Sequence, residues 1–232
     1  MPPIEPPPTP YRFPPPAEWE SNDLVGIGAD LAPGTILAAY RMGLFPMPTP
    51  DGYLGWWSPV ERAILPFSHL RVSRSLGRSC RRYTVSVDAD PDGVVEGCAD
   101  PSRPGGWITG EMQEAYLELH RMGWMHSFEV WNSDGELVGG LYGLGIGGLF
   151  CGESMFHRAD DGSKVALVHL VSLLSERGGR MLDVQWSTPH LESMGAVVIG
   201  RSEYLRRLPE ALAGSDPFEG LDSSEGPPEQ PR

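Results

Sequence analysis

Three polar side chains lie inside strongly apolar stretches of the sequence. Asp183 and Gln185 alternate with apolar residues in 181–186, and Glu153 follows the apolar run 149–151. Alternate residues of a β-strand point to one side, so the pattern predicts that Asp183 and Gln185 share a face. Buried polar groups need hydrogen-bond partners. These residues therefore indicate either a satisfied structural network or a site that holds an amine and moves its proton.

A cluster of arginines stands out against an acidic background. The formal net charge is −13, which by itself argues against a nucleic-acid partner. Yet Arg71, Arg74, Arg78, Arg81 and Arg82 follow one another with no acidic residue between them. Salt screens charges over about 8–10 Å, so a local basic patch can bind phosphate in a globally acidic protein. The cluster is either a phosphate-binding face or a solvated one.

Several familiar catalytic motifs are incomplete or misplaced. The glycines of 143–148 form a GxGxxG pattern, but a strand-like segment follows where a dinucleotide site needs a helix. We interpret them as a turn or bulge where two backbone segments approach closely. Ser154 lacks a GxSxG elbow, and neither the 3 cysteines nor the 6 histidines have a metal-ligand spacing. We therefore expect no metal and no cofactor.

The periodicity of apolar residues predicts the elements that must position these side chains. Helical spacing recurs in residues 111–122 and 163–177, the second with Ser163 as its cap, and each segment ends at a glycine. A shorter helix is predicted over 33–42, with Pro33 in its first turn and Gly43 after its end. Strands are predicted at 83–87, 127–131, 136–142, 148–151, 181–186 and 196–200. This order indicates an α+β (mixed α/β) fold.

The two ends of the chain differ in composition from the rest. Residues 1–16 are mostly proline, which predicts an extended, unpacked tail. Residues 213–232 are rich in Gly, Ser, Pro and acidic residues, which predicts a disordered acidic tail. No apolar run is long enough to span a membrane and no secretory signal is visible, so we expect a cytoplasmic location.

Longer motifs point to a known family. The sequence contains Gly-Leu-Phe-Pro at 43–46, Trp-Trp-Ser-Pro at 56–59, Gly-Trp-Ile at 106–108, Leu-Val-Gly-Gly-Leu-Tyr-Gly at 137–143 and Phe-Cys-Gly-Glu-Ser-Met-Phe at 150–156. With Asp183 and Gln185, these segments extend over roughly residues 24–208. On them the chain resembles the bacterial leucyl/phenylalanyl-tRNA–protein transferases.

The resemblance implies a domain organisation and an activity. It implies a small N-terminal domain over residues 17–62 and an acetyltransferase-like (GNAT) catalytic domain over residues 63–212. The implied reaction moves Leu or Phe, and less well Met, from aminoacyl-tRNA to the α-amino group of proteins that begin with Arg or Lys. The product is an N-degron, the protein-degradation signal of the N-end rule. We expect the enzyme to use no cofactor and to act as a monomer away from membranes.

The resemblance also implies roles for particular residues. Asp183 and Gln185 would form a proton-relay and amine-orienting pair, with Glu153 hydrogen-bonded beside them. The terminal adenosine would be surrounded by Tyr40, Trp107 and Tyr116. The amino-acid pocket would be walled by Leu141, Phe150, Leu167, Leu170 and Leu182. The acceptor-stem phosphates would contact Arg74, Arg78, Arg81 and Arg82. Met47 stands where many relatives have Trp, which leaves base stacking at that position open.

Two other classes of protein stay open on the residues alone. An acyl-CoA-dependent N-acetyltransferase of similar fold would need a pyrophosphate loop that leads into a helix, whereas 143–148 leads into a strand-like segment. A non-catalytic RNA-binding protein or degradation adaptor would need only a structural reason for Glu153, Asp183 and Gln185.

Overall fold

Two β-sheets and seven α-helices are present in the computed structural model, which describes residues 2–102 and 106–221. The helices are α1 (Pro33–Arg41), α2 (Arg74–Arg82), α3 (Pro91–Ala99), α4 (Gly110–Arg121), α5 (Gly162–Glu176), α6 (Pro189–Met194) and α7 (Arg201–Leu212). The strands are β1 (Leu24–Ile27), β2 (Phe45–Pro48), β3 (Leu54–Trp57), β4 (Glu61–Ile64), β5 (Thr84–Val87), β6 (Met125–Trp131), β7 (Leu137–Ile146), β8 (Leu149–His157), β9 (Met181–Gln185) and β10 (Val197–Gly200). Within the described ranges, every helix is too short or too polar to span a lipid bilayer.

The larger sheet is mixed. Its seven strands follow the order β10-β4-β9-β8-β7-β6-β5, and all neighbours are antiparallel except the parallel pair β8 and β9. A parallel pair needs a crossover connection, which α5 supplies. The strands β1, β3 and β2 form a separate antiparallel sheet. The predicted mixed α/β fold is confirmed.

Both faces of the larger sheet are covered. On one face, Leu167 and Leu170 of α5 belong to the same apolar cluster as Phe150 and Leu182. On the other face, α1, α4 and α7 contribute Tyr40, Tyr116 and Tyr204 to a second cluster. Because side chains alternate along a strand, β9 presents residues to both clusters.

The predicted helices and strands are found, with one change at a helix start. The predicted helices at 33–42, 111–122 and 163–177 correspond to α1, α4 and α5, and the six predicted strands correspond to β5 through β10. The prediction that Ser163 caps α5 is wrong. The helix already begins at Gly162, and the residue before it, Asp161, has a left-handed backbone (φ 64°).

The glycines of 143–148 build a hairpin. Gly143 and Gly145 lie in β7, with a register shift at Tyr142/Gly143, and Gly147 and Gly148 form the turn to β8, where Gly147 is left-handed (φ 57°). A Cβ on Gly143 would lie only 2.2 Å from the carbonyl oxygen of Cys151. The predicted close approach of two backbone segments is confirmed.

The proline-rich segment is extended but packed, so the expectation of an unpacked tail is wrong. The Ile4 amide donates to the Met122 carbonyl at 2.8 Å, and the Trp124 indole N–H donates to the Ile4 carbonyl at 2.8 Å. Proline already restricts the unfolded chain, so ordering this segment costs little backbone entropy. An extended segment of this kind has no internal backbone hydrogen bonds, so its carbonyl groups can accept hydrogen bonds from neighbouring residues.

The acidic tail is also packed over its first residues. Phe218 is 5% exposed, and its ring stacks on His126 with the centroids 3.8 Å apart. Arg177 donates to the carbonyl groups of Pro217 at 2.5 Å and Glu219 at 2.6 Å. The expected disorder is therefore wrong for residues 213–221, because one aromatic anchor suffices to fix them. Residues 222–232 lie outside the described part.

Candidate active site

A cavity of about 290 Å³ opens where β8 and β9 separate. The two strands pair only up to Cys151↔Asp183, although β8 continues to His157. The apolar walls of the cavity include Leu141, Met155, Leu167, Leu170, Leu182, Val184 and Leu191. Its polar lining comes from Glu153, Ser154, Gln185, Thr188 and His190. Across 2–102 and 106–221, no three His, Cys, Asp or Glu side chains come together in a way that could hold a metal ion.

Glu153 is the carboxylate of this cavity. It is 7% exposed and accepts a hydrogen bond from the Tyr116 hydroxyl at 2.7 Å and one from Gln185 Nε2 at 3.0 Å. Burial raises the pKa of Glu153 to about 7, although the neighbouring tyrosine hydroxyls act to lower it. A carboxyl group with a pKa near neutrality can both accept and return a proton at physiological pH.

The Gln185 amide is oriented by Glu153. Because Nε2 donates to the carboxylate, Oε1 is the amide atom left to accept a hydrogen bond from a ligand. The backbone of Gln185 is left-handed (φ 60°), a conformation that costs a non-glycine residue about 1–3 kcal/mol. Asp183 Oδ1 accepts from the Gln185 amide N–H at 2.9 Å and so holds this conformation.

Asp183 is enclosed. It is 0% exposed, does not line the cavity, and forms a bidentate pair with Arg62 through Nε (2.9 Å) and Nη2 (2.5 Å). The Tyr204 hydroxyl donates to it at 2.8 Å, and Cys151 Sγ lies at 3.6 Å. Asp183 and Gln185 contact Cys151 and Glu153 on the same side of the sheet, as the alternation predicts.

Arg62 links Gly43, in the segment between α1 and β2, to Asp183 in β9 through hydrogen bonds. It is 1% exposed, donates to the Gly43 carbonyl at 3.1 Å, and its guanidinium lies 4.8 Å from the Phe45 ring centroid. Burial opposes its charge, but Asp183 and Tyr204 outweigh that effect and hold the pKa of Arg62 above its usual value. The guanidinium is therefore charged, and its hydrogen bonds to Asp183 and Gly43 use most of its donors.

The predicted pocket residues fall into two groups. Leu141, Leu167, Leu170 and Leu182 line the cavity together. Phe150 does not line it; its ring lies 5.5 Å from that of Phe218 inside the core. Phe150 is the register partner of Leu182, but its ring is fully buried and packed beside Phe218, so it does not reach the cavity surface.

The predicted adenosine-binding aromatics lie outside the cavity lining. Tyr40 and Tyr116 are buried behind Glu153, with their hydroxyl oxygens 3.1 Å apart. Burial, followed by the charge of Glu153, raises the pKa of both phenols well above the usual value. They therefore stay protonated and serve as hydrogen-bond donors toward the carboxylate. Trp107 is half-buried against the same apolar cluster.

The predicted phosphate-binding arginines share one helix. They are exposed residues of α2, at positions that fall on one side of a helix with 3.6 residues per turn: Arg74, Arg78, Arg81 and Arg82. None of them takes part in an ion pair within the described part of the chain. Like charges at this spacing repel by a few tenths of a kcal/mol per pair, about 0.2–0.5 kcal/mol. An unpaired basic face of this kind is suited to an anionic partner.

Sequence reasoning missed several residues of the site. Arg62 directly precedes an apolar run, and this position could have indicated a buried charge. The sequence around Tyr204 has no feature that indicates its role. His190 lines the cavity, and its Nε2 is buried without a hydrogen-bond partner among the described residues. Burial and the charges of Lys164 and His157 lower the pKa of His190, which leaves a neutral imidazole at pH 7.

The sequence is similar to that of known proteins over most of the chain. Residues 64–209 match the leucyl/phenylalanyl-tRNA protein transferase family, and residues 29–60 match the N-terminal domain of that family. A leucyl/phenylalanyl-tRNA–protein transferase of Shewanella halifaxensis is 42% identical over 219 residues, 92% of each chain. One of Aromatoleum aromaticum is 47% identical over 201 residues, 84% of each chain.

One solved structure shows a weaker similarity. L-PGS from Bacillus licheniformis is 19% identical, covers 56% of this chain and 48% of its own, and gives a TM-score of 0.38, which is too low to assign a fold. Membership therefore rests on sequence, where both the length of the match and the identity are high. The chain belongs to the leucyl/phenylalanyl-tRNA protein transferase family and is an aminoacyltransferase.

Proposed function

We propose that this enzyme moves Leu or Phe, and less well Met, from aminoacyl-tRNA to the α-amino group of proteins that begin with Arg or Lys. The relatives are named for leucyl and phenylalanyl tRNA and for a protein acceptor. The observation that carries the proposal is the cavity itself, which joins an apolar wall to Glu153 and Gln185. The product would be an N-degron in the cytoplasm.

The apolar wall would receive the side chain of the donor amino acid. Leu141, Leu167, Leu170 and Leu182 offer no hydrogen-bonding side-chain group, so this wall selects by size and shape. Such a pocket separates side chains that differ by one methylene by only about 1–3 kcal/mol. Leu, Phe and Met would therefore all be used, whereas β-branched Ile and Val would be used poorly.

The polar end of the cavity would hold the attacking amine. Gln185 Oε1 accepts a hydrogen bond from the neutral α-amine, and Glu153 takes one proton from its nitrogen as the new C–N bond forms. The nitrogen attacks the ester carbonyl carbon, a C–N bond forms, and the bond from that carbon to the ribose 3′-oxygen breaks. The proton held by Glu153 then returns to the departing 3′-oxygen. The ester is already activated, so positioning supplies most of the rate, worth up to roughly 7–11 kcal/mol in ideal cases.

Asp183 would act through Gln185 in this scheme. Its carboxylate is enclosed by Arg62 and Tyr204, so the proton acceptor that best fits the cavity is Glu153. Asp183 holds the Gln185 backbone at 2.9 Å and is thus a positioning residue. In this proposal Glu153 takes the proton-accepting role, whereas the family resemblance implies a proton relay through Asp183.

Binding of the tRNA would use the basic face of α2. Four exposed arginines on one side of α2, none of them in an ion pair within the described residues, can neutralise phosphates of an acceptor stem. Tyr40, Tyr116 and Trp107 belong to one apolar cluster beside Glu153. The terminal adenosine would lie next to this cluster.

The domain organisation is proposed on similar grounds. The three-stranded sheet lies within residues 17–62, and the larger sheet lies mainly within 63–212. A mixed sheet with one parallel pair that separates around a cavity supports an acetyltransferase-like (GNAT) arrangement for the second part. An acyl-CoA-dependent enzyme is disfavoured, because 143–148 form a hairpin rather than a loop into a helix.

One transfer assay tests the proposal. The purified chain is incubated with Phe-tRNA carrying labelled Phe and with two forms of one protein, beginning with Arg or with Asp. We expect label only on the Arg form, and little label when Ile-tRNA replaces Phe-tRNA. Equal labelling of both acceptors, equal use of Ile-tRNA, or no labelling at all would each contradict a stated part of the proposal.

A further inference from the structure

Residues 2–14 form an extended segment that contacts the chain just after α4 and then α1, and we name it the N-terminal strap. It is held there although it contains no regular hydrogen-bonded element of its own. Contacts repeated along its length show that it is held at several points rather than at one.

Two consecutive residues of the strap fasten the ends of the two helices. Ile4 pairs with the chain just after α4, through the Met122 carbonyl and the Trp124 indole, both at 2.8 Å. Glu5 forms a bidentate ion pair with Arg41, the last residue of α1, at 2.6 and 2.8 Å. The Arg41 guanidinium also lies 5.2 Å from the Trp124 ring centroid, so the two helix ends meet at the strap.

The strap then runs back along α1. Thr9 Oγ1 lies 2.8 Å from Thr35 Oγ1 near the start of the helix. The Pro7 carbonyl sits so close to Gly34 that a Cβ there would lie 2.0 Å from its oxygen. Farther on, Phe13 packs edge-on against Trp56 with centroids 4.9 Å apart. The approach at Gly34 is possible only because that residue has no side chain.

The interface that the strap spans carries a hydrogen-bond chain into the cavity. Tyr40 precedes Arg41 in α1, and its hydroxyl lies 3.1 Å from that of Tyr116 in α4. Tyr116 in turn donates to Glu153 at 2.7 Å. Tyr116 lies six residues before Met122, which is about 9 Å along a helix. A shift of α1 against α4 would therefore alter the donors that Glu153 receives.

We propose that the N-terminal strap positions Glu153 by clamping α1 against α4, so that Tyr40 and Tyr116 stay aligned on the carboxylate. Glu5, Ile4 and Gly34 are then positioning residues for the transfer reaction. The inference rests on the proposed role of Glu153 in transfer, but its first test needs no activity.

Other groups around Glu153 are not reached by the strap. Asp183, Arg62 and Cys151 interact with it from β9, β4 and β8, and Tyr142 lies beside Tyr116 from β7. The two tyrosine hydroxyls act to lower the pKa of Glu153. Loosening the strap should therefore raise that pKa while the charges of Asp183 and Arg62 stay in place.

The first test compares two glycine-to-alanine variants of the full chain. Gly34→Ala collides with the strap, whereas Gly110→Ala at the start of α4 has open space around its new methyl group. The Glu153 carboxyl is titrated by NMR on ¹³C-labelled glutamate, and its signal is identified by its loss in Glu153→Gln. We expect the titration midpoint to rise by about 0.5 or more in Gly34→Ala and to stay unchanged in Gly110→Ala. An unchanged midpoint in a folded Gly34→Ala, or an equal rise in both variants, would overturn the inference.

A charge exchange provides a second test that avoids the collision at Gly34. Glu5→Arg and Arg41→Glu each place like charges at the strap contact, and the double variant restores an opposite pair. Each single variant should raise the Glu153 midpoint, and the double variant should return it toward the wild-type value. Singles without effect, or a double variant that stays shifted, would count against the strap even if Gly34→Ala fails to fold.

Transfer measurements then separate this inference from the proposed function. In Gly34→Ala, transfer at pH 6.5 relative to pH 8.5 should fall about threefold, the factor that a pKa difference of about 0.5 gives. If the wild type transfers no amino acid but the NMR midpoints move as described, the proposed function fails and the clamp on Glu153 stands. If transfer is normal and the midpoints do not move, only the clamp fails.

Discussion

At the scale of single residues, the site separates two carboxylates by their surroundings. Glu153 lines the cavity and has its pKa raised to about 7 by burial. Asp183 is enclosed by Arg62, Tyr204 and the Gln185 backbone. A side chain that exchanges protons with substrate must be accessible to the substrate. A side chain that fixes a backbone conformation must instead have its hydrogen bonds satisfied by the protein. Glu153 fits the first role and Asp183 the second.

The buried ion pair gives a stability prediction. Arg62→Met leaves the Asp183 carboxylate buried without its main partner, which typically costs about 3–5 kcal/mol. Denaturant unfolding of the variant should show a loss of this order. Arg121→Met removes an exposed partner of Glu118 and should cost within about 1 kcal/mol. Equal losses in the two variants would show that burial does not govern the Arg62–Asp183 interaction.

The sequence allowed some of these residues to be predicted and hid others. Asp183, Gln185 and Glu153 are visible because polar residues on apolar strands are unusual. Arg62 is harder to recognise, because its partner lies 121 residues away and its strand has only four residues. Which of two carboxylates reaches the cavity depends on where β8 and β9 separate, a property of the tertiary structure that no local pattern carries.

At the scale of elements, the separation of β8 and β9 creates the cavity and α5 walls it. Leu170→Ala should enlarge the apolar wall and raise the use of Phe relative to Leu by about tenfold, within the range that one or a few methylenes give. Leu174→Ala lies one turn farther along α5, is fully buried, and does not line the cavity.

These two variants form a matched pair. Each should lose about 2–5 kcal/mol of stability, because each removes a buried Leu side chain. Only Leu170→Ala should change the Phe-to-Leu ratio of kcat/KM in transfer assays with the two donor tRNAs. A similar change of this ratio in both variants would show that Leu170 does not line the amino-acid pocket.

The basic face of α2 gives a prediction about salt. Replacing Arg78 with Gln should weaken tRNA binding and reduce the slope of log K against log salt by about 1. Binding of labelled tRNA at several salt concentrations measures this slope. Arg206, which is already paired with Glu203 on α7, provides the control, and Arg206→Gln should leave the slope unchanged. A slope that stays the same in Arg78→Gln would remove α2 from the tRNA contact.

Elements differ in how well local sequence predicts them. α4 and α5 follow clear apolar periodicity and end at glycine, so their prediction needs little tertiary information. α2 was not predicted as a helix, since its nine residues are mostly arginine and serine around Gly77 and bury only Leu76. β1 to β4 have four residues each, and apart from the β2–β3 pair they pair with strands that are not their chain neighbours, so their pairing depends on the surrounding fold.

At the scale of the whole molecule, two buried connections join the first part of the chain to the cavity. One runs from Gly43 through Arg62 to Asp183, and the other runs from Tyr40 through Tyr116 to Glu153. Both end next to Gln185. The polar end of the cavity is thus fixed by residues from distant parts of the chain, and the family's N-terminal domain contributes to it directly.

The raised pKa of Glu153 predicts how stability depends on pH. A carboxyl whose pKa rises from 4.5 to about 7 on folding binds its proton more tightly in the folded state. Its contribution is therefore fully present below pH 4.5 and is lost as pH rises through about 7. The loss is on the order of 3 kcal/mol, because a tenfold change in proton affinity corresponds to about 1.4 kcal/mol.

Urea unfolding between pH 4.5 and 8 measures this effect. Relative to Glu153→Gln, the wild type should lose unfolding free energy progressively as pH rises. Glu96→Gln changes an exposed glutamate and should follow the wild type throughout. Parallel curves for wild type and Glu153→Gln would show that Glu153 is not held in a proton-favouring site.

The most direct test of the enzyme and its site is transfer of labelled Phe from Phe-tRNA to an Arg-starting protein by wild type, Glu153→Gln and Glu96→Gln. Wild type and Glu96→Gln should label the acceptor at equal rates. Glu153→Gln should be slower by about 10²–10⁴-fold near pH 7, the usual contribution of a general base. Its folded state and tRNA affinity should be retained. Near-normal labelling by a folded Glu153→Gln would contradict the assignment of this cavity as the place where the proton is moved.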